Sequence, residues 1–87
     1  MNVTDDLKDI LIEQLFVEVP AAEMDPDDSL RDVFGLDSVG FVELRVQCED
    51  RFGVSIADDE FTPENFSTIR TVADLVGRLS RPAPASA

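Results

Sequence analysis

The stretch that decides the fold runs Gly35-Leu36-Asp37-Ser38-Val39-Gly40-Phe41-Val42-Glu43-Leu44. Asp37 immediately precedes a segment whose apolar residues recur at helical spacing, so it is predicted to cap a helix that begins at Ser38. The first turn of such a helix has backbone amides without intrahelical partners and the positive end of the helix dipole. A phosphate on the Ser38 hydroxyl would lie where a helix favours negative charge. The stretch therefore predicts an attachment site for a phosphodiester-linked group.

Apolar spacing predicts two long helices in the N-terminal part of the chain. The second runs from Ser38 to about Phe52 and is followed by Gly53, a natural C-terminal stop. The first runs from about Val3 to Val17, and Pro20 ends its pattern. A long loop, residues 18–37, joins the two helices. The buried stripe of the first helix is predicted to consist of Leu7, Ile10, Leu11 and Leu15.

Two shorter helices are predicted in the C-terminal part. Thr62 as a cap and Pro63 in the first helical position indicate a short third helix that ends near Phe66 or Ser67. Thr71 is predicted to cap a final helix of about Val72 to Leu79. The whole pattern predicts an all-α fold, a small four-helix bundle with a long loop between helices 1 and 2 and a short third helix.

Length and composition indicate one small domain. The chain has 87 residues, of which we expect 1–80 to form the domain, whereas the proline- and alanine-rich tail 81–87 is expected to be disordered. The single cysteine, Cys48, excludes an intrachain disulfide, so we expect a reducing, cytoplasmic location. The net charge of −12 disfavours nucleic-acid and membrane partners and favours partners with basic surfaces.

Several chemistries can be excluded from composition. The chain has no histidine, so it cannot form a Ser-His-Asp triad or a histidine-ligated zinc site. Its four glycines do not form a phosphate-binding loop. Asp25 and Asp27 imitate the start of a calcium loop, but Leu30 and Leu36 stand where that loop needs glycine and glutamate. We therefore predict no metal site, no catalytic residues and no freestanding enzyme.

The second helix is predicted to have two apolar faces. Phe41, Leu44, Cys48 and Phe52 share one face and are expected to enter the core. A second strip consists of valines, of which Val39 and Val46 are expected to stay partly exposed. An exposed apolar strip edged by polar and acidic residues is typical of a docking surface. The predicted docking residues are Val39, Val42, Glu43, Val46, Gln47 and Asp50.

An ordered set of motifs resembles the acyl carrier and peptidyl carrier protein family, whose members hold a 4′-phosphopantetheine arm on the serine of a D-S-(L/V/I/M) motif. The resemblance covers roughly residues 4–80 in the family's order and approximate spacing. Besides Asp37-Ser38-Val39, it rests on Leu7-Lys8-Asp9-Ile10-Leu11, Glu13-Gln14-Leu15, Asp28-Ser29-Leu30, Asp32-Val33-Phe34-Gly35, Phe52-Gly53-Val54-Ser55-Ile56 and Ile69-Arg70-Thr71-Val72-Ala73-Asp74-Leu75.

The resemblance implies a non-catalytic carrier. A phosphopantetheinyl transferase would use coenzyme A and Mg²⁺ to attach 4′-phosphopantetheine covalently to Ser38, with Asp37 in a supporting role. The thiol of the arm would then hold an acyl or aminoacyl group as a thioester. The implied partners are this transferase and acyl-loading and acyl-transfer enzymes with basic docking surfaces, and we expect the carrier to be a monomer.

The kind of carrier is left open by the residues. The connector 57–66, with its F-T-P-E-N-F portion, resembles discrete carriers of polyketide and related natural-product pathways. Arg45 and Arg51 also interrupt a helix that is more acidic or apolar in fatty-acid carriers. Primary fatty-acid, peptidyl and D-alanyl carriers share the same chemistry and stay as alternatives. The alternative from another class is an unmodified acidic helical module that only binds a basic partner.

Overall fold

The computed structural model describes residues 3–80, and within them all regular structure is helical. Helix α1 spans Val3–Glu13, a single 3₁₀ turn spans Ala21–Glu23, α2 spans Ser38–Phe52 and α3 spans Ile69–Ser80. This confirms the all-α class and the long loop between the first two helices. The predicted tail 81–87 lies outside the described residues.

The core is built from one face of each helix and from apolar residues of the loops. Leu44 and Cys48 are the buried residues of α2. Phe41 and Phe52, which were also expected to enter the core, are only half-buried and pack against its edge. The buried apolar residues are Leu7, Ile10, Leu11, Met24, Leu30, Phe34, Leu36, Leu44, Cys48, Ile56, Phe66, Ile69, Val72, Leu75 and Val76.

The predicted third helix is wrong, because the segment after Thr62 makes only one helical turn. The Thr62 hydroxyl accepts from the Asn65 amide at 3.2 Å, so Thr62 does act as a cap. The Thr62 carbonyl accepts from the Phe66 amide at 3.0 Å. The chain then leaves the helical path, and the Ser67 carbonyl accepts from the Leu30 amide in the long loop at 3.0 Å. Forming a single helical turn is unfavourable when no further turns follow. The turn after Thr62 is therefore stabilised by tertiary contacts.

The last helix begins earlier than predicted, at Ile69 rather than Val72. Thr68 and Thr71 form a reciprocal pair in which each hydroxyl accepts from the amide of the other, at 3.1 and 3.0 Å. This is the geometry of a capping box, with Thr68 in the capping position that was predicted for Thr71. The earlier start lets Ile69 bury its side chain in the core.

The first helix ends earlier than predicted, at Glu13 rather than Val17. Phe16 has a backbone φ of 59°, in the left-handed region that favours glycine. The chain reversal there brings the Val17 amide to within 2.9 Å of the Leu11 carbonyl, which would otherwise lack a partner. A left-handed conformation costs a non-glycine residue about 1 kcal/mol or more. The helix thus ends through an unfavourable residue type at a position where glycine is common.

The long loop is fixed to the start of α3. The Leu30 amide donates to the Ser67 carbonyl at 3.0 Å, and the Arg70 amide donates to the Pro26 carbonyl at 2.9 Å. The Arg70 guanidinium also makes two hydrogen bonds to the Asp27 carboxylate, and this contact lowers the pKa of Asp27. These contacts hold the middle of the loop, residues 26–30, against the start of α3.

Candidate functional site

Ser38 is the first residue of α2 and is exposed. Asp37 ahead of it has extended backbone, and its carboxylate accepts from the Gly40 amide at 2.8 Å, so the predicted cap is confirmed. A Cβ at Gly40 would approach the Leu36 and Asp37 side chains to 3.3 and 3.4 Å, so glycine allows them to pack closely against the first turn. The serine hydroxyl is thereby presented to solvent at a rigid, capped helix terminus.

A surface cleft of about 470 Å³ opens beside Ser38. Its walls are mainly apolar and include three phenylalanines, and one cationic side chain, Arg31, also contributes. Phe61 and Phe66 meet edge to face, with ring centroids 4.9 Å apart. The cleft is lined by Ser29, Arg31, Ser38, Phe41, Val42, Phe61, Thr62, Pro63, Phe66 and Ser67. A group attached at Ser38 therefore has an apolar surface directly next to it.

The wall of this cleft is held by Arg45 on α2. Its guanidinium donates to the Ile56 carbonyl, forms an ion pair with Asp58 at 3.0 Å and lies 5.1 Å from the centre of the Phe61 ring. One turn further along α2, Glu49 accepts from the Ile56 amide at 2.8 Å. Arg45 and Glu49 thus bond to the carbonyl and the amide of Ile56, respectively. Through these bonds α2 positions the connector and Phe61.

The second arginine of α2, Arg51, is also occupied within the fold. It contacts Asp6 of α1 at 2.9 Å and Asp9 at 3.8 Å, and the Asp6 side chain is 12% exposed. Arg45 and Arg51 were regarded as interruptions of an acidic helix. Because both are paired inside the molecule, they do little to neutralise the acidic residues that α2 exposes.

The exposed strip of α2 has the predicted composition. Val39 is 76% exposed, Val42 52% and Val46 47%, which confirms the expected exposure of Val39 and Val46. Glu43 and Asp50 are exposed beside them, and Gln47 donates to Glu43 at 2.8 Å. Neither carboxylate forms an ion pair with a basic residue in the described part of the chain. The strip is therefore an apolar surface edged by unneutralised negative charge.

Cys48 does not belong to the site. Its side chain is fully buried in the core, and burial, together with the neighbouring Glu49 carboxylate, raises its pKa to about 12. The thiolate is the reactive form of cysteine, so this thiol is unreactive near neutral pH.

We expect Cys48 in the folded, unmodified protein to resist a thiol reagent at pH 8, because its thiol stays protonated well above that pH. Adding urea should expose one reactive thiol per chain. Reaction can be followed by intact mass or by absorbance of the released chromophore. Rapid labelling without denaturant would contradict the burial of Cys48.

Sequence reasoning did not identify the aromatic lining of the cleft. Phe61 and Phe66 lie on either side of the Thr62-Pro63 turn. This spacing was the one sequence feature that could have indicated that the two rings lie close together. That the two rings would meet beside Ser38 depends on the Arg45 contact and on the docked loop, which are long-range interactions. Within residues 3–80 there is no cluster of side chains suited to a metal ion, and no helix is long and apolar enough to cross a membrane.

Comparison with known proteins agrees with this geometry. The family model for a phosphopantetheine attachment site matches residues 5–79. An acyl carrier protein of Thermobifida fusca is 34% identical over 80 residues, which cover 92% of each chain. A holo acyl carrier protein of Nitrosomonas europaea has a similar fold, with a TM-score of 0.78 at 24% identity, covering 90% of this chain and 95% of that one.

A third match comes from a complex. In the crystal structure of the Bradyrhizobium japonicum glycine:[carrier protein] ligase with glycylated carrier protein, the matching chain has a TM-score of 0.67 and 30% identity, covering 85% of this chain and 99% of that one. The present chain belongs to the phosphopantetheine-attachment family of carrier proteins. Its function is that of a carrier, and its cofactor is covalently attached 4′-phosphopantetheine.

The residues around Ser38 fit this cofactor. The exposed hydroxyl is free of the packed core, and the capped first turn of α2 favours the negative charge of a phosphodiester. The neighbouring cleft provides apolar surface, with Arg31 as its cationic residue. Ser38 would hold the group, whereas Asp37 keeps the helix terminus in place.

Proposed function

We propose that Ser38 is the attachment residue and that the protein is a discrete, non-catalytic carrier of acyl or aminoacyl groups in polyketide or related specialised metabolism. The observation that supports this best is the exposure of Ser38 at the capped start of α2, beside an aromatic cleft. When attached, the arm supplies a thiol that holds the acyl group as a thioester. Partner enzymes act on that group, and the carrier presents it.

In the proposed modification, this chain supplies the nucleophile, the Ser38 hydroxyl oxygen. The Ser38 oxygen forms a bond to the phosphorus of coenzyme A that bears the pantetheine, and the bond from that phosphorus to the departing adenosine bisphosphate breaks. The serine proton leaves to a base of the transferase or to its water, since this chain has no histidine to accept it and the neighbouring Asp37 carboxylate is hydrogen-bonded to Gly40. Asp37 is already engaged with Gly40, so it contributes by orienting the helix terminus.

The proposed pathway is supported by the connector between α2 and α3. Two of its residues, Phe61 and Phe66, line the cleft next to Ser38, and the Arg45 guanidinium lies over the Phe61 ring. A similar carrier protein is glycylated by its ligase, which supports an aminoacyl unit as a second candidate cargo. Primary fatty-acid, peptidyl and D-alanyl carriers are the alternatives within the family. The acidic module without modification is the alternative outside it.

Intact mass spectrometry after incubation with coenzyme A, Mg²⁺ and a broad-specificity phosphopantetheinyl transferase tests the carrier proposal. One phosphopantetheine should be added per chain, and peptide mass should locate it at Ser38. The product should then accept an acyl group on the new thiol in a variant that carries Cys48→Ala. If several transferases leave the folded protein unmodified, the unmodified acidic module is the better explanation.

The exposed strip of α2 is proposed to dock partner enzymes, with Glu43 as its central charge. Glu43→Lys should slow modification or loading, because charges at a rim mainly affect association rates. The free energy of unfolding, measured in urea, should change by no more than about 0.5 kcal/mol, as is usual for surface substitutions. The rate difference from the wild type should shrink at high salt.

A matched control is Glu23→Lys, which makes the same charge change at an exposed position in the 3₁₀ turn, outside α2. This variant should be modified at close to the wild-type rate. Equal slowing in both variants would show that net charge, rather than the α2 strip, governs the encounter. A large loss of stability in Glu43→Lys with normal modification would remove Glu43 from the docking surface.

A further inference from the structure

Phe16 is an exposed aromatic residue that neither local conformation nor core packing explains. Its φ of 59° lies in the left-handed region, where glycine is favoured. Its side chain is 79% exposed, the most exposed of the large apolar side chains in the described part of the chain. The position therefore combines an unfavourable backbone conformation with an aromatic ring that gains little burial. A single exposed ring needs no partner, but a contiguous exposed apolar patch around it would mark an interaction site.

The ring lies at a surface groove of about 630 Å³ between the end of α1 and the start of α2. Two further exposed apolar residues line this groove, Val33 at 50% and Val39 at 76%. Val33 belongs to the long loop and has an exposed side chain. Three chain segments thus bring exposed apolar side chains to one groove.

The rim of the groove is acidic. Glu18, Asp32, Asp37 and Glu43 are exposed carboxylates among its lining residues. None of them forms an ion pair with a basic residue within residues 3–80. A groove that exposes three apolar side chains beside unneutralised carboxylates complements a protein surface that has an apolar side chain flanked by lysine or arginine.

The groove also adjoins the attachment residue. Asp37 and Val39, which flank Ser38 in sequence, both line it, whereas Ser38 itself lines the aromatic cleft. An enzyme that reaches the Ser38 hydroxyl must approach these two neighbours. The phosphopantetheinyl transferase acts on the Ser38 hydroxyl before any arm is present. It therefore has to come directly against this part of the surface.

We propose that the groove of Phe16, Val33 and Val39 docks an apolar side chain of the phosphopantetheinyl transferase, flanked by basic residues, and that the Phe16 ring is its main anchor. This inference rests on the proposed modification of Ser38. It extends the docking surface from the exposed strip of α2 to the end of α1. A few aromatic residues commonly provide most of the binding energy of an interface, which makes Phe16 the residue to test.

The test compares Phe16→Gly, Phe16→Ala and Phe16→Tyr with the wild type. The probe is a broad-specificity phosphopantetheinyl transferase with coenzyme A and Mg²⁺, and kcat/KM for modification of Ser38 is the readout. Phe16→Gly and Phe16→Ala both remove the ring, so each should lower kcat/KM about tenfold or more, mainly through KM. Phe16→Tyr keeps the ring and should retain most of the wild-type value.

Thermal melting of the same proteins separates docking from folding. Glycine suits the left-handed conformation, so Phe16→Gly should melt at or above the wild-type temperature, and above Phe16→Ala. Wild-type kcat/KM in both truncated variants would overturn the proposal. Loss of rate together with a lower melting temperature in Phe16→Gly would also overturn it, because the ring would then stabilise the fold.

Two other outcomes are distinguishable. A wild-type dimer in sedimentation that Phe16→Gly dissociates would assign the groove to a second copy of the chain and overturn the proposal. If the wild-type protein itself takes up no phosphopantetheine, the proposed function fails before the variants are compared. If the wild type is modified and the Phe16 variants have the same kcat/KM, only the docking role of the groove is refuted.

Discussion

Ser38→Ala should abolish uptake of phosphopantetheine completely, since the hydroxyl oxygen is the proposed nucleophile and no other group can replace it. The variant should stay folded because the side chain is exposed and Asp37 still caps α2 through the Gly40 amide. Intact mass after exposure to coenzyme A and transferase measures uptake, and circular dichroism measures helicity. Ser29 and Ser67 line the same cleft and serve as internal controls. Phosphopantetheine on either of them would place the attachment residue elsewhere.

Asp37→Ala provides the comparison variant for this experiment. It leaves the hydroxyl intact but removes the 2.8 Å hydrogen bond to Gly40. The lost cap should lower the free energy of unfolding by about 0.5–2 kcal/mol. Modification should be slow rather than absent, because the nucleophile remains while the terminus that presents it becomes less ordered. Normal kinetics in this variant would show that Asp37 only caps the helix.

Leu44→Ala should produce the largest loss of stability on α2, about 2–5 kcal/mol in the free energy of unfolding. Leu44 is 1% exposed and belongs to the core shared by the helices, so truncation leaves a cavity. A loss of this size is a substantial part of the stability of a small domain. Urea unfolding followed by circular dichroism provides the measurement.

Val42→Ala is the matched control, since it lies two residues away on the same helix but is 52% exposed. Its free energy of unfolding should change by about 0.5 kcal/mol or less. If the two substitutions destabilise equally, the face of α2 that we assign to the core is wrong. The exposed strip proposed for docking would then be wrong as well.

Much of the site could be predicted from sequence because it depends on local rules. An aspartate one residue before a helical apolar pattern predicts a cap at Asp37 and a helix start at Ser38, and the observed α2 begins there. The same helix was predicted to end at Phe52, where Gly53 adopts a φ of 65° and closes it. These features involve side chains that contact their own backbone within a few residues.

Boundaries that depend on distant contacts were predicted less well. The segment after Thr62 has helix-start residues, yet it makes a single turn, after which the Ser67 carbonyl accepts from the Leu30 amide of the long loop. The start of α3 is shifted to Ile69 because the Thr68 and Thr71 hydroxyls cap each other. Local propensity could not decide between two threonines three residues apart.

The sequence by itself determined the helix that presents Ser38 and the phase that leaves Val39 and Val46 exposed, because periodicity and capping are short-range properties. The class of protein followed from the resemblance of its ordered motifs to a known family. Only the tertiary structure decided what surrounds that serine. Arg45 stabilises the cleft wall through its contacts with Ile56 and Phe61. Phe16 lines a groove that Asp37 also lines. Both arrangements join segments far apart in the chain, and the free energy of such contacts depends on packing that no local pattern specifies.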